Sequence, residues 1–477
     1  MKALQVDVAI IGAGTAGLVA YRTAKAVGAS VAMIEDGDYG TTCARVGCMP
    51  SKLLIAAAEA AHAVGKASEF GIHVDGDVRI DGRKVMDRVM RERDRFVGLV
   101  LRDTQDIPDA ERILGHARFV NDHTITVDDH TRITYKSSVI ATGSRATYPD
   151  SFKSLDDRLI ISDDVFGWQD LPNSVAVMGP GVIGLELGQA LHRLGVRVVL
   201  LGRGGRVGPI NDPEILAYTI AAFNEEFTLE PDAHIASMEF DGEQVVIQRP
   251  DPNGVQLTEY FDCVLAATGR TPNVTDIGLD QTTLKLDAKG VPFFDPATTR
   301  TLSTAGESPI FIAGDAGNFI PLLHEANDEG RIAGGNAARL ALGKPVIPGL
   351  RRAPIAVVFT APQVGIVGGG FQAQKPGTFA TGQVSFEDQG RSRIIGKNKG
   401  LLNIYGDLAS GQFLGAEMLA PAAEHLAHLL AWALQNKMTV AQMLEMPFYH
   451  PVIEEALRTA LRDLNSKLRV AQVIGRR

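Results

Sequence analysis

Twice in this chain a short apolar stretch leads straight into a turn with glycines at fixed offsets, and then into a helical pattern. The first stretch is Val6-Asp7-Val8-Ala9-Ile10-Ile11, followed by Gly12-Ala13-Gly14-Thr15-Ala16-Gly17 and a helical pattern to about Val27. Short, β-branched and apolar on both faces is what a buried parallel strand requires. A second apolar strand, Val31-Ala32-Met33-Ile34, closes the unit at Glu35. A strand, a G-x-G-x-x-G turn, a helix and an acid about 20 residues on form the βαβ unit that cradles a dinucleotide. The glycines let backbone N–H groups reach a pyrophosphate at the helix N-terminus, and Glu35 would accept from a ribose hydroxyl. A turn without a ligand is the plain alternative.

The theme recurs. Ser174-Val175-Ala176-Val177-Met178 reads as a strand, Gly179-Pro180-Gly181-Val182-Ile183-Gly184 as the turn, residues 185–194 as a helix and 196–201 as a strand. Each module ends in an Ala-Thr-Gly turn after an apolar strand, at Ala141-Thr142-Gly143 and Ala267-Thr268-Gly269, so the architecture repeats although the sequences scarcely do. Where an acid would close the second strand of the second module stand Gly202 and then Arg203-Gly204-Gly205-Arg206. A carboxylate there suits a free ribose diol and repels a 2′-phosphate, and Arg does the reverse. Arg203 and Arg206 therefore tilt the expected nucleotide from NAD toward NADP, unless they are ordinary solvated loop residues.

At 477 residues the chain exceeds one hydrophobic core. Past about Gly349 the glycine turns give way to strand-like 355–359 and 401–405 and to helical 422–435 and 453–468, the mark of a separate α+β domain. The expected fold is α/β: two Rossmann-like dinucleotide-binding domains and a C-terminal α+β domain, divided as 1–149, 150–272, 273–348 and 349–477. Forty-seven basic against 56 acidic residues leave a net charge of −9, and no basic cluster stands out, so neither nucleic acid nor a membrane surface is expected as partner. No apolar run reaches the about 18–20 residues of a membrane helix. Asp7 interrupts the N-terminal apolar stretch, so no secretory leader is expected. Three cysteines do not make a disulfide scaffold, and the expected location is cytoplasmic.

Two of those cysteines frame Cys43-Ala44-Arg45-Val46-Gly47-Cys48, just after the first βαβ unit, and suggest a redox-active dithiol. Two buried thiols or half a metal site are the alternatives, although no His-x₃-His pattern supports zinc. Residues five apart on an ideal helix sit about 140° apart and roughly 7.5 Å along the axis. A disulfide needs Cα atoms within about 4.4–6.8 Å, so Val46-Gly47 must distort the segment. An Ala-rich helix over about 50–66 follows, and its N-terminus would lower the pKa of a nearby thiol. Cys263 lies in an apolar strand and is expected to be buried and inert. Near the end, Phe448-Tyr449-His450-Pro451-Val452-Ile453-Glu454-Glu455 sets a His ahead of a helix bearing a carboxylate, a pairing suited to shuttling a thiol proton.

Taken together these residues resemble the flavin-dependent pyridine nucleotide–disulfide oxidoreductases. The resemblance rests on Glu35, on Cys43 and Cys48 followed by Met49-Pro50-Ser51-Lys52, and on the two Ala-Thr-Gly turns. It also rests on Phe311-Ile312-Ala313-Gly314-Asp315 and on His450-Pro451 with Glu455. It spans essentially the whole chain and is nearest the dihydrolipoyl dehydrogenase branch. The resemblance implies that Gly12, Gly14, Gly17, Glu35, Thr142 and Gly143 bind FAD, with Asp315 at its ribityl–phosphate part. It implies that Gly179, Gly181, Gly184, Arg203, Arg206 and Gly269 hold NAD or NADP. Lys52, paired with Glu186, would lie by the flavin N5 and polarise the ring. Cys48 would face the flavin as a charge-transfer thiolate while Cys43 exchanges with substrate, and the C-terminal domain would build an obligate homodimer in which His450 and Glu455 come from the other subunit.

The implied activity is oxidation of a dithiol, a lipoyl group above all, with NAD(P)⁺ as acceptor. An NADPH-driven reductase of another disulfide and a non-catalytic redox-sensing flavoprotein are the alternatives. The chain departs from the family pattern at Gly40-Thr41-Thr42, where Gly-Gly-Thr is usual, at Ala44-Arg45, where Leu-Asn is usual, and at Val452, where Thr is usual. Arg45 is expected to stabilise a thiolate or to alter what docks, and no lipoyl domain is expected ahead of the first glycine turn.

Overall fold

In the computed structural model, which describes residues 1–76 and 78–474, the chain forms two compact units. One gathers residues 1–50, 88–147 and 270–351, and the other residues 51–87, 148–269 and 352–477.

The first unit is built on an eight-stranded sheet. Its central strand, Lys2–Ile11, pairs in parallel with Val31–Glu35 on one side and Thr131–Ile140 on the other. The strand begins earlier than its apolar residues, because the ladder with Thr131–Ile140 satisfies the backbone from Lys2 onward. Arg112–Leu114 and Glu307–Ile312 continue the parallel order outward. The chain passes from Lys2–Ile11 to Val31–Glu35 on one side while Thr131–Ile140 pairs on the other, and the carboxyl ends of strands at such a reversal are where open α/β sheets bind ligands. Helix Thr15–Val27 lies on helix Leu323–Ala341 with their backbones in contact. A Cβ added at Gly330 or Gly334 would sit 2.4 or 2.2 Å from the carbonyl oxygens of Ala16 and Ala20. Val8, Ile10, Met33, Val139 and Phe311 close the core beneath these helices.

The second unit holds a five-stranded parallel sheet in the order Thr228–Glu230, Arg197–Leu201, Ser174–Met178, Cys263–Ala266, Leu159–Ile161. Ser174–Met178 is buried throughout, as its unbroken apolar run demands. A three-stranded antiparallel sheet, Ser237–Phe240, Val245–Pro250 and Gln256–Phe261, is added to it. The C-terminal part is a five-stranded antiparallel sheet covered by helices Ala423–Gln435 and Glu455–Ile474, with Leu426, Leu430, Leu457, Leu461 and Leu464 fully or almost fully buried. Buried carboxylates join these layers. Asp212 caps helix Pro213–Asn224 through the N–H groups of Glu214 and Ile215, and its other oxygen accepts from Asn403 and the Tyr405 hydroxyl. Glu417 accepts from the N–H groups of Asn211, Asp212 and Phe371. Each acid is saturated by neutral donors, which is what makes its burial tolerable. No described helix is long and apolar enough to cross a membrane.

Candidate active site

At the first glycine turn, Gly12 adopts φ +104, and a Cβ there would lie 2.3 Å from the Ala141 carbonyl oxygen. Gly17 is tighter still, 1.8 Å from the Gly12 carbonyl oxygen, so strand, turn and helix meet without side chains between them. Gly14, in contrast, faces open space at the N-terminus of helix Thr15–Val27, which has no side-chain cap and no acid in its first turn. Glu35 does not project freely. It accepts the Ala13 N–H at 2.6 Å and the Gly37 N–H at 3.1 Å, so its carboxylate braces the turn and keeps lone pairs in reserve. Just past the carboxyl end of Thr131–Ile140 the Thr142 hydroxyl is buried with no hydrogen-bond partner, and Gly143 follows at φ +69. An uncapped helix N-terminus, a turn stripped of Cβ atoms and an orphaned hydroxyl are the features a dinucleotide pyrophosphate would satisfy.

Asp315 lies in the same unit. It accepts from Ser144 Oγ at 2.7 Å, and Ser144 in turn receives Arg270 Nε at 2.8 Å. The preceding Gly314 N–H is held by Glu329 at 2.9 Å, and Glu329 pairs with Arg351 at 3.0 Å. Burial raises the Glu329 carboxyl above its ordinary range. Ser144, Arg270, Glu329 and Arg351 carry no motif. Only the loop they clamp is recognisable in sequence.

The second glycine turn repeats the geometry: Gly179 at φ +108 lies 2.4 Å (as Cβ) from the Ala267 carbonyl oxygen, Gly184 lies 2.0 Å from that of Gly179, and Gly181 is open. Gly269 follows at φ +128. The missing acid at Gly202 has a steric cause. A Cβ there would fall 2.6 Å from both the Pro180 ring and the Pro231 carbonyl oxygen, so no side chain fits. A carboxylate nonetheless lies beside the loop, because Asp232 accepts the Gly204 N–H at 2.7 Å. Arg203 and Arg206 are exposed on either side of that anchored glycine pair.

Cys43 and Cys48 fall on either side of a helix break. Helix Thr42–Val46 ends at Gly47, with φ −128 and ψ −118, and helix Cys48–Gly65 begins at once. A Cβ on Gly47 would lie 3.1 Å from the Cys43 Cα, so the break folds the chain back onto the first cysteine, the distortion the spacing demanded. Cys43 is half-buried and Cys48 exposed. Thr41 precedes them at φ 59 and ψ 145, and its hydroxyl accepts the Ala44 N–H. Arg45 bears on the first of the two roles expected of it, stabilising a thiolate. Its guanidinium donates to the Asp38 carboxylate and carbonyl, both at 3.0 Å, instead of turning to a thiol. Two residues apart on a helix means about 200° of rotation, which sends Arg45 away from the Cys43 side.

Lys52, one turn into the helix that Cys48 opens, pairs with Glu186 on helix Val182–Arg193 at 2.6 Å. The other Glu186 oxygen accepts the Phe359 N–H at 2.9 Å, and the Lys52 ammonium lies 4.7 Å from the centre of the Phe359 ring. His450 Nδ1 meets both oxygens of Glu455 at 3.1 Å, and the Glu455 carboxylate also takes the Val452 N–H. The His450 bond holds the Glu455 carboxyl below its ordinary range. The imidazole side chain is 80% exposed, so the ring is turned outward. Cys263 is buried in its strand, and desolvation pushes its thiol up to about 12. Among the described residues no cluster of His, Cys, Asp and Glu could hold a metal ion.

Comparison with known proteins gives the family. Residues 6–330 match the family described as pyridine nucleotide-disulphide oxidoreductase, and residues 355–461 its dimerisation domain. A dihydrolipoyl dehydrogenase of Halobacterium salinarum is 30% identical over 474 residues, covering 95% of each chain. A mercuric reductase of Bacillus cereus is 30% identical over 466 residues, covering 95% of this chain and 71% of its own. Among solved structures, the Cu(II) complex of the HOCl-induced flavoprotein disulfide reductase RclA from Escherichia coli shares the fold, with a TM-score of 0.80 at 22% identity over 97% and 99% of the two chains. The chain therefore belongs to the pyridine nucleotide–disulphide oxidoreductases, enzymes of sulfur redox chemistry whose cofactors are FAD and NAD(P).

Proposed function

We propose that this protein is a dihydrolipoyl dehydrogenase-like enzyme, a homodimer that oxidises a dithiol through Cys43 and Cys48 and delivers the electrons to NAD(P)⁺. The observation that carries the reading is the break at Gly47, which folds the chain back onto Cys43 directly ahead of the helix that bears Lys52. In the oxidised enzyme the two cysteines form a disulfide. His450 of one copy, oriented by Glu455, accepts a proton from the substrate dithiol. The resulting thiolate attacks the Cys43 sulfur, the Cys43–Cys48 bond breaks, and Cys48 leaves as a thiolate with the electron pair. The second substrate thiol then displaces Cys43 from the mixed disulfide and closes the oxidised product, its proton passing to the departing Cys43 sulfur. The helix N-terminus at Cys48 favours that thiolate. FAD and NAD(P)⁺, when bound, would supply the two-electron acceptor chemistry by which the dithiol is returned to a disulfide. Gly12, Gly14, Gly17, Glu35, Thr142, Gly143 and Asp315 would hold the first, and Gly179, Gly181, Gly184, Gly269, Arg203 and Arg206 the second. Lys52 and Glu186 would set the charge beside the flavin.

A second reading, an NADPH-driven reductase of another disulfide, is favoured by one feature: Gly202 leaves no space for a carboxylate while two exposed Arg residues flank the loop. Identity does not decide the substrate, since a dihydrolipoyl dehydrogenase and a mercuric reductase stand at the same 30%. Steady-state rates with dihydrolipoamide and each nucleotide, against glutathione disulfide with NADPH, separate the readings. Turnover of dihydrolipoamide is expected, and activity with glutathione disulfide alone would overturn the first reading. An Arg–phosphate contact would shift the ratio of kcat/KM for the two nucleotides by about 1.5–3 kcal/mol in favour of NADP.

A further inference from the structure

Helix Val182–Arg193 turns one stripe of side chains onto a single stretch of backbone from the C-terminal part of the chain. Glu186 accepts the Phe359 N–H at 2.9 Å. Gln189 accepts the Ala361 N–H at 2.7 Å and donates to the Ala361 carbonyl at 3.0 Å. Arg193 donates to that same carbonyl at 2.9 Å. Positions i, i+3 and i+7 lie on one helix face, so the three contacts act as one clamp. The clamp fixes where the Phe359 side chain emerges, just past the strand Ile355–Val358, and there its ring meets the Lys52 ammonium at 4.7 Å.

We infer that Phe359 is a positioning residue for Lys52, which it holds by cation–π contact on one side while its backbone N–H holds the Glu186 carboxylate that pairs with Lys52 on the other. Glu186 is 5% exposed and commits one oxygen to each neighbour, so its geometry is determined. Lys52 is different. Its side chain is 35% exposed and long, and the carboxylate at 2.6 Å with the Ser51 hydroxyl at 3.4 Å would leave it room to swing about those contacts. The ring removes that freedom, because the negative face of an aromatic ring attracts an ammonium. This inference rests on the reading that Lys52 lies beside the flavin only for its consequence, namely that a fixed positive charge there stabilises the reduced ring and raises its potential.

The test uses the full-length holoenzyme and the variant Phe359→Leu, which keeps the backbone N–H and removes the ring face. Phe359→Tyr and Phe359→Trp restore a face. The first readout is the rate of reductive methylation of Lys52, followed by peptide mass spectrometry relative to exposed lysines of the same chain. It should rise about three- to tenfold in the Leu variant and return to the parental rate in the Tyr and Trp variants. An unchanged rate in Leu, or an equal rise in all three, overturns the inference. The second readout is the midpoint potential of the bound flavin, which should fall in Phe359→Leu and show no such fall when Lys52→Met is already present. Faster methylation with an unmoved potential would uphold the ring's hold on Lys52 and overturn instead the placement of Lys52 beside the flavin.

Discussion

Thr41 shows how a single residue can depart from a family pattern and still obey its geometry. It stands where the resemblance leads one to expect Gly, and its φ of 59 with ψ 145 is a conformation that Gly takes freely and a β-branched residue does not. Its hydroxyl, bonded to the Ala44 N–H, is the partial compensation. Thr41→Gly releases strain of about 1–3 kcal/mol, loses a few tenths with the cap and adds chain entropy to the unfolded state. A net stabilisation of about 1 kcal/mol is expected, read as a higher urea midpoint. Cys263 makes a pH argument at the same scale. Its buried thiol ionises only at about 12, whereas in the unfolded chain it ionises at its ordinary 9.0. Its contribution to stability is therefore whole below about pH 9 and is lost as the pH climbs toward about 12. Iodoacetamide at pH 8 should leave Cys263 unmodified in the native protein and alkylate it once urea unfolds the chain, as peptide mass spectrometry would record.

Among the elements, those that could be read beforehand were the ones whose geometry is enforced by absent atoms. Gly12, Gly17, Gly179 and Gly184 sit where any Cβ would strike a carbonyl, so steric necessity writes them into the sequence. The bend at Gly47 was legible for a related reason, because two sulfurs five positions apart cannot meet on a regular helix. Contacts made by backbone leave no such trace. Nothing in the residue type of Phe359 announces that its N–H serves Glu186, and an aromatic residue at the end of a strand reads as core. The antiparallel sheet over Ser237–Phe261 has no clear mark in the sequence because its short strands alternate with polar residues, and because its anchor is a buried charge. Arg249 is 2% exposed and bridges Glu230 in the parallel sheet to Glu259 in the antiparallel one. Arg249→Met would strand both acids and should cost about 3–5 kcal/mol by urea denaturation, far more than an Arg-to-Met change at an exposed position.

For the whole molecule, the outward-facing imidazole of His450 makes sense if each copy completes the chemistry of another. Cys43→Ser and His450→Ala should each be inactive alone. Unfolded and refolded together, they form mixed dimers in which one of two sites has both groups intact, and about a quarter of the parental activity should return. Recovery near zero would mean that dithiol and base belong to the same chain.

The stripe Glu186, Gln189 and Arg193 bears on how such proteins can be cut and recombined. Because it grips the main chain around residues 359–361, the C-terminal quarter is no detachable assembly tag. A fragment ending near residue 351 would strip that main chain from Glu186, Gln189 and Arg193 and leave them their contacts to Lys52 and Glu226, and grafting a foreign C-terminal quarter would succeed only if it brought a backbone of matching course to that face.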